Sequence, residues 1–178
     1  RQGIEDFCLK NSIQITRAFK TDLNYMEILK GVNGLICIGK FSKIEVNNLI
    51  NFTKNIVFLD MALDDYSASS ISLDFHHAVY TALNHLYNLG HRKIGFLGGV
   101  EYVGESEIVT NERKKYFISF CNKHKLEYKD FLIEGSFSIE SGYEMMTTLI
   151  ERNTIPTAIL AASDAIAVGA MKALNDHN

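Results

Sequence analysis

Short runs of apolar residues alternate with segments of helical periodicity along the whole chain. Six runs predict strands: residues 13–16, 34–39, 55–60, 70–73, 93–98 and 157–161. Several of them, such as "GLICIG" and "NIVFLD", are continuously apolar rather than alternating. Continuous apolar runs are typical of strands that are buried on both faces of a parallel sheet. Strands that alternate with helices over the full length predict an α/β fold with parallel sheets.

The segments between these runs carry the signals of helix starts and stops. Asp74 is placed to cap a helix over residues 75–89, and Gly90 is placed to stop it. Further helices are predicted at residues 24–30, 42–52, 111–124 and 138–152, and from 163 or 164 onward. On the last helix, four apolar residues are expected to face inward: Ile166, Ala170, Met171 and Leu174. The stretch 100–111 shows no clear pattern, and long loops after strands often bind ligands in such folds.

Composition limits the classes of protein that this chain can represent. Its 178 residues suit one or two domains, and 47% hydrophobic and 22% charged residues are ordinary for a soluble globular protein. The net charge of −3 argues against a basic nucleic-acid-binding surface on this segment. No apolar run approaches the roughly 18 residues that a membrane-spanning helix needs. Because the chain opens without Met on a helix-like stretch, we expect it to be a fragment of a longer protein.

Cysteine, histidine and glycine patterns give no sign of catalysis. Three isolated cysteines, without a Cys-x-x-Cys pair, predict reduced thiols: Cys8, Cys37 and Cys121. Four histidines lack a carboxylate or cysteine at metal-ligand spacing: His76, His77, His85 and His91. The glycines that follow "GHRKIGFL" fit neither a dinucleotide fingerprint nor a phosphate loop: Gly98, Gly99 and Gly104. No nucleophile elbow is present. The sequence therefore predicts no catalytic residue, no metal and no cofactor.

Three positions remain open to a binding role. Arg113 opens a predicted helix, where a cation opposes the helix dipole, so it is either solvent-exposed or aimed at hydroxyls or an anion. Phe137, between two serines, is either a core residue or a stacking face for a ring. Ser163–Asp164 follows an apolar strand and is either a helix cap or a polar ligand contact.

Five stretches occur in a characteristic order. They are "GVNGLICIGKFS", "HHAVYTALNHLYNLGHRKIGFLGG", "NERKKYFISF", "EGSFSIESGYEMM" and "PTAILAASDAIAVGAMKAL". Together they resemble the effector-binding domain of the lactose/galactose repressor (LacI/GalR) family of bacterial transcription regulators, most of all the galactose-type repressors of Gram-positive bacteria. Two positions depart from the family pattern, since Tyr116 replaces a usual Gly and Ser163 a usual Asn. The resemblance spans nearly the whole chain.

The resemblance implies an architecture of two Rossmann-like lobes with parallel sheets flanked by helices, the periplasmic-binding-protein-like fold. A ligand cleft would lie between the lobes. The first lobe would comprise residues 1–90 and the second residues 91–178. The family's first and last strands and its DNA-binding headpiece would be missing from this chain.

The resemblance also implies six effector-binding residues: Arg113, Phe137, Ser163, Asp164, Asp74 and His77. Arg113 would clamp ligand hydroxyls and Phe137 would stack on the ligand. Ser163 would make a shorter polar contact than the family's Asn. Asp164 would cap its helix or reach the ligand, and the remaining two would lie at the cleft edge.

The function implied is an allosteric switch without catalysis. A sugar effector, with a galactose-like sugar favoured, would shift the populations of open and closed clefts and thereby alter affinity for operator DNA. The implied protein is a cytoplasmic homodimer without membrane contact. The main alternative is an extracytoplasmic sugar-binding protein of a transporter, which shares the two-lobe fold. A small α/β enzyme is a second alternative, but no nucleophile–base pair or cofactor motif supports it.

Overall fold

The fold is described from a computed structural model, which covers residues 1–63, 68–103, 107–109, 111–153 and 155–177. These residues form seven α-helices, one 3-10 turn (Lys129–Phe131) and eight strands. The helices are α1 (Gln2–Lys10), α2 (Tyr25–Ile28), α3 (Lys43–Phe52), α4 (Phe75–Asn88), α5 (Glu112–His124), α6 (Ile139–Glu151) and α7 (Asp164–Asp176). The strands are β1 (Leu35–Ile38), β2 (Ile56–Leu59), β3 (Ser69–Ile71), β4 (Ile94–Gly99), β5 (Glu101–Val103), β6 (Glu107–Val109), β7 (Leu132–Gly135) and β8 (Ala158–Ala161). The predicted α/β class with parallel sheets is confirmed.

The first sheet has the order β1-β2-β3 and is parallel throughout. Alternate residues of its first two strands are buried, and they pack against the buried face of α3 in one core cluster. Helix α3 starts with a capping box, in which Ser42 Oγ accepts a hydrogen bond from Glu45 N and the Glu45 carboxylate accepts one from Ser42 N at 2.7 Å. Both bonds satisfy N–H groups that have no partner within the helix.

The second sheet is also parallel and has the order β7-β4-β8, so β4 is its central strand. All six residues of β4 are buried, as its continuous apolar run predicts. Helices α5, α6 and α7 contribute to the core around it, and the largest buried side chains are Phe96, Phe117, Phe120, Met146 and Leu149.

Helix α4 packs into this second core although it precedes the predicted lobe boundary at residues 90–91. Val79 and Leu83 on its buried face share the core cluster that contains β4. The chain therefore passes from the first sheet to the second core at residues 72–74, directly before α4. The division into lobes stays a prediction, and this packing favours a boundary near residues 72–74.

The segment "GHRKIGFLGG" forms the connection from α4 to β4. Gly90 follows the end of α4 with a positive φ of 94°, a conformation that glycine adopts without strain. The Nδ1 atom of His91 lies 3.0 Å from Thr157 Oγ1, next to the start of β8. Arg92 donates a hydrogen bond to the carbonyl of Tyr87 and lies over its ring. These contacts are structural, and they join the amino ends of two neighbouring strands to the preceding helix.

Helices α6 and α7 meet at two glycines. A Cβ atom on Gly142 would lie 2.3 Å from the carbonyl oxygen of Ile166, and one on Gly169 would lie 2.0 Å from that of Ile139. Distances below 3 Å are not tolerated, so the two backbones approach this closely only because both residues are glycine. The "SGYEMM" and "AVGAMKAL" stretches are thus complementary halves of one helix–helix contact.

Several sequence-based expectations for local structure were wrong. Residues 13–16 form no strand, and Ile13 and Ile15 are 50% and 42% exposed. Strand β7 was not predicted. The stretch 100–111 contains an antiparallel hairpin of β5 and β6, whereas residues 104–106 and 110, including Gly104, lie outside the described residues. Met171, which was expected to face inward, is 69% exposed.

No helix within the described residues combines the length and apolar character that crossing a bilayer demands.

Candidate functional site

The carboxyl ends of the second sheet place three segments of interest at one edge. β4, β7 and β8 are parallel neighbours, so all three end on the same side. β7 leads through Phe137 into α6, β8 leads through Ser163 into α7, and the hairpin after β4 leads into α5, which carries Arg113. In open α/β sheets this edge is where ligands bind.

The start of α5 is fixed to the end of β4 by Asn111. Its Oδ1 atom accepts hydrogen bonds from the backbone N–H groups of Arg113 and Lys114, at 3.1 and 3.4 Å, and caps the helix. Its Nδ2 atom donates to the carbonyl of Gly99 at 2.8 Å. One side chain thus holds the first turn of α5, and with it Arg113, against the carboxyl end of the central strand.

The Arg113 guanidinium lies beside two aromatic rings. Its Cζ atom is 4.0 Å from the centroid of the Phe75 ring and 5.8 Å from that of Phe137. Across the part of the chain that the structure describes, no carboxylate forms an ion pair with this guanidinium. Its N–H donors are therefore available to a ligand, and a planar guanidinium can donate to two hydroxyls at once.

Phe137 is half-buried, and its ring lies against the backbone of Gly99. A Cβ atom at position 99 would come within 2.3 Å of the ring, so only glycine leaves room for the ring in this place. The turn that carries Phe137 is held by serines: Ser136 N donates to Ser141 Oγ at 2.9 Å, and Ser141 N donates to Ser138 Oγ at 3.1 Å. The aromatic face is thereby presented from a hydrogen-bonded turn.

Arg113 borders a pocket of about 190 Å³. The other lining residues are apolar and come from α4 and from the end of β8: Phe75, Ala78, Val79, Leu160, Ala161 and Ala162. A mostly apolar lining with one strongly directional polar group is the usual make-up of a small-molecule site.

A larger pocket of about 380 Å³ lies beneath the β5–β6 hairpin. Its wall includes Lys114 and Glu134, which neutralise each other in an ion pair. None of the six predicted effector-binding residues lines this pocket. We therefore assign the candidate site to the smaller pocket, where a guanidinium without a carboxylate partner among the described residues meets apolar walls.

The other predicted residues occupy helix starts around this edge. Ser163 is half-buried and caps α7 by accepting a hydrogen bond from Ile166 N at 3.4 Å, while Asp164 is exposed. Asp74 is exposed and caps α4 by accepting from His77 N at 2.8 Å, and the His77 side chain is exposed. The structure thus brings Arg113 and Phe137 together. The ligand roles of all six residues stay predictions.

Phe75 is the site residue that sequence reasoning missed. Its position on the apolar face of α4 predicts core packing, but it is only half-buried and lines the pocket. No local sequence signal marks it, because its contact with Arg113 joins two helices that are far apart in the chain.

The described residues contain no group of three or more His, Cys, Asp or Glu side chains that could hold a metal ion. All three cysteines are free and buried. Burial disfavours the thiolate and raises the pKa of Cys37 and of Cys121 to about 11, which makes both thiols unreactive near neutral pH.

Two parallel sheets with flanking helices, and a small pocket at the carboxyl edge of the second sheet, place the chain in the α/β class. Residues 83–178 match the periplasmic binding protein-like domain family, and the chain belongs to this family. It is 33% identical over 148 residues to the HTH-type transcriptional regulator GalR of Streptococcus thermophilus, covering 82% of this chain and 45% of that protein. It is 31% identical to the HTH-type transcriptional repressor MelR of Bacillus subtilis, covering 99% of this chain and 52% of that protein.

Solved structures share the fold. A LacI-family regulator from Lactobacillus casei with bound sucrose has a TM-score of 0.76 at 22% identity, over 98% of this chain and 67% of that chain. The lac repressor dimer bound to operator and the anti-inducer ONPF has a TM-score of 0.82 at 21% identity, over 99% of this chain and 63% of that chain. The chain thus spans about half the length of the curated relatives it matches. The resemblance to LacI/GalR regulators and the periplasmic-binding-protein-like fold are confirmed.

Proposed function

We propose that this chain is the sugar-effector-binding part of a bacterial transcriptional repressor, and that the Arg113 pocket takes the effector. The observation that carries this proposal is the Arg113 guanidinium, which has no carboxylate partner among the described residues and stands over aromatic rings at the carboxyl edge of the sheet. This arrangement suits a sugar, whose hydroxyls need directional donors and whose C–H faces pack on aromatic rings.

In this proposal Arg113 donates hydrogen bonds to ring hydroxyls while Phe137 covers one face of the sugar. Ser163 offers a short hydroxyl contact beside Ala162, which lines the pocket. Asp164, Asp74 and His77 are exposed and do not line the pocket, and in this proposal they lie at the edge of the cleft. A galactose-like sugar is favoured, with support from the relative named GalR and from the sucrose-bound regulator of similar fold.

The proposed action is a change of population and not a reaction. A sugar that binds the closed cleft better than the open one shifts the protein toward the closed state. Operator DNA would be bound by a separate DNA-binding segment of a cytoplasmic homodimer, and linkage transmits the shift to it. The relatives above are transcription regulators, which favours this function over a transporter's sugar-binding protein and over an enzyme.

The proposal predicts that the full-length protein binds a neutral sugar and that Arg113→Ala abolishes binding. Isothermal titration calorimetry would compare galactose, other neutral sugars and their phosphate esters, and the unfolding temperature should rise with the bound sugar. Lys115→Ala is the matched control, because Lys115 is an exposed cation on the same helix outside the Arg113 pocket. It should leave sugar affinity unchanged.

Two results would contradict the proposal. One is a wild-type protein that binds no member of the panel. The other is an Arg113→Ala variant that binds the sugar as tightly as the wild type does.

A further inference from the structure

We propose that Phe75 is a positioning residue for Arg113, and that its ring sets the direction in which the guanidinium donates hydrogen bonds to the effector. This inference rests on the proposed function, since it concerns the same pocket. It assigns a binding role to a residue whose sequence pattern predicts only core packing.

The geometry of the pair supports a direct interaction. The Arg113 Cζ atom lies 4.0 Å from the Phe75 ring centroid, well within the range of about 6 Å for a cation–π contact. Phe137, at 5.8 Å, lies at the outer limit of that range. The nearer ring therefore holds the guanidinium. A guanidinium that lies over a ring makes no hydrogen bond to it through its nitrogens, so its N–H groups can still donate to sugar hydroxyls.

Burial separates Phe75 from the core residues of its own helix. Val79 and Leu83, one and two turns farther along α4, are buried in the second core cluster. Phe75 is only half-buried, lines the pocket and is not a member of that cluster. A residue that only packed in the core would be expected to be buried in the same cluster as Val79 and Leu83.

Arg113 also has few other restraints. Its backbone N–H is bonded to Asn111, but within the described ranges its side chain makes no ion pair and no hydrogen bond. An arginine side chain loses rotamer entropy when it is fixed. The Phe75 ring already restricts the guanidinium in the free protein. Less entropy is then lost on binding, so the effector binds more tightly than it would to a mobile guanidinium.

The position of Phe75 in the chain gives the contact a second consequence. Residues 72–74 carry the chain from the first sheet to the second core, and Phe75 is the next residue. An effector bound to the held guanidinium therefore lies close to this crossing. Phe75 thereby joins the occupied pocket to the connection between the two sheets.

The first test compares sugar affinities by calorimetry. We expect Phe75→Leu to raise the Kd about tenfold, because it removes the π face but keeps an apolar side chain. Phe75→Tyr keeps the face and should restore wild-type affinity. Tyr87→Leu is the matched control, because Tyr87 lies on the same helix, has the Arg92 Cζ atom 3.6 Å from its ring and does not line the pocket. It should lower the unfolding temperature and leave the Kd unchanged.

The second test needs no sugar. NMR of the Arg113 Hε signal in the wild-type full-length protein should show an upfield ring-current shift, which Phe75→Leu removes and Phe75→Tyr retains. If Phe75→Leu does not fold, Phe75→Met serves in both tests. Equal sugar affinity in the wild type and the ring-less variant, or an Arg113 Hε shift that the substitution leaves unchanged, overturns the inference. A wild-type protein that binds no sugar but shows the Phe75-dependent shift refutes the proposed function and upholds the positioning of Arg113.

Discussion

At the scale of single residues, Gly99 decides where the Phe137 ring can lie. The glycine ends β4, and the ring occupies the space where any other residue would have its Cβ atom. Its carbonyl also receives the hydrogen bond from Asn111, so the same residue orients the start of α5. The stacking face thus depends on glycine at this position, and the start of α5 is held by the backbone carbonyl of the same residue.

Gly99→Ala is predicted to weaken sugar binding by displacing the Phe137 ring. We expect an affinity loss of about threefold to tenfold, since an aromatic contact is worth about 0.5–1.5 kcal/mol. Gly98→Ala is the matched control: its Cβ atom would press on the buried ring of Phe96 instead. The control should lower the unfolding temperature without a comparable change in calorimetric Kd. Equal affinity losses in both variants would show that general damage, not the Phe137 ring, is responsible.

Sequence reasoning reached some of these residues and not others. Arg113 and Phe137 could be found because each is unusual for its local position. Arg113 is a cation at a helix start, and Phe137 is an aromatic residue in a serine-rich turn. Phe75 could not, because its contact with Arg113 joins two helices that are far apart in sequence. The local sequence pattern predicts which face of a helix a residue lies on. It does not predict which residue of another element that side chain contacts.

At the scale of secondary-structure elements, helix starts were the most predictable feature. Asp74, Asn111, Ser138 and Ser163 all cap the helices expected at those positions, because a cap is a contact between residues two or three apart. Strands were harder, since a strand needs a partner. Residues 13–16 have a suitable pattern, but no described strand pairs with them.

Two further element-scale errors have geometric causes. Strand β7, "LIEG", is short and contains a charged residue, yet it pairs with the central strand β4 over its whole length. Met171 follows Ile166 by five residues, which places it about 140° around a helix of 3.6 residues per turn. The buried face of α7 instead follows Ile166, Gly169, Ala170 and Ala173.

The contact between α6 and α7 gives a prediction at this scale. Gly142→Ala would force the two backbones apart and should cost about 1–3 kcal/mol of stability, the usual range for overpacking. Gly3→Ala is the matched control, because Gly3 lies in α1 and a Cβ atom added there would have no neighbouring atom within 4 Å. The control should be neutral or stabilising, since alanine favours helices. Urea unfolding measures both changes, and a Gly142→Ala variant as stable as the wild type would contradict the close contact.

At the scale of the whole molecule, two core clusters are joined where the chain crosses from β3 to α4. The first cluster lies between the first sheet and α3, and the second contains α4 and the elements that follow it. The candidate pocket lies at the start of α4, next to the crossing. A ligand in this pocket could influence how the two clusters are arranged relative to each other. A two-state switch needs such a change of arrangement.

The proposed switch predicts coupling between sugar and operator in the full-length protein. A saturating effector should change operator affinity by about 5- to 150-fold, the usual range for allosteric coupling, and operator DNA should change sugar affinity by the same factor. Fluorescence anisotropy of labelled operator DNA with and without sugar measures the first factor, and calorimetry with and without DNA measures the second. Arg113→Ala should still bind operator but should lose its response to sugar. Operator affinity that is indifferent to a sugar known to bind would argue against the switch.

The capped helix starts at this edge of the sheet bear on the binding of charged ligands. An unoccupied helix start attracts phosphate through its free N–H groups and its positive dipole end. Here the protein's own oxygen atoms already occupy N–H groups at the starts of α4, α5, α6 and α7, and in α4 the capping group is itself a carboxylate. A phosphate ester would have to compete with these oxygen atoms for the capped N–H groups, whereas the donors of Arg113 are open to a neutral sugar and to a phosphate alike. Discrimination between a sugar and its phosphorylated form would therefore fall to the Arg113 guanidinium rather than to the helix starts.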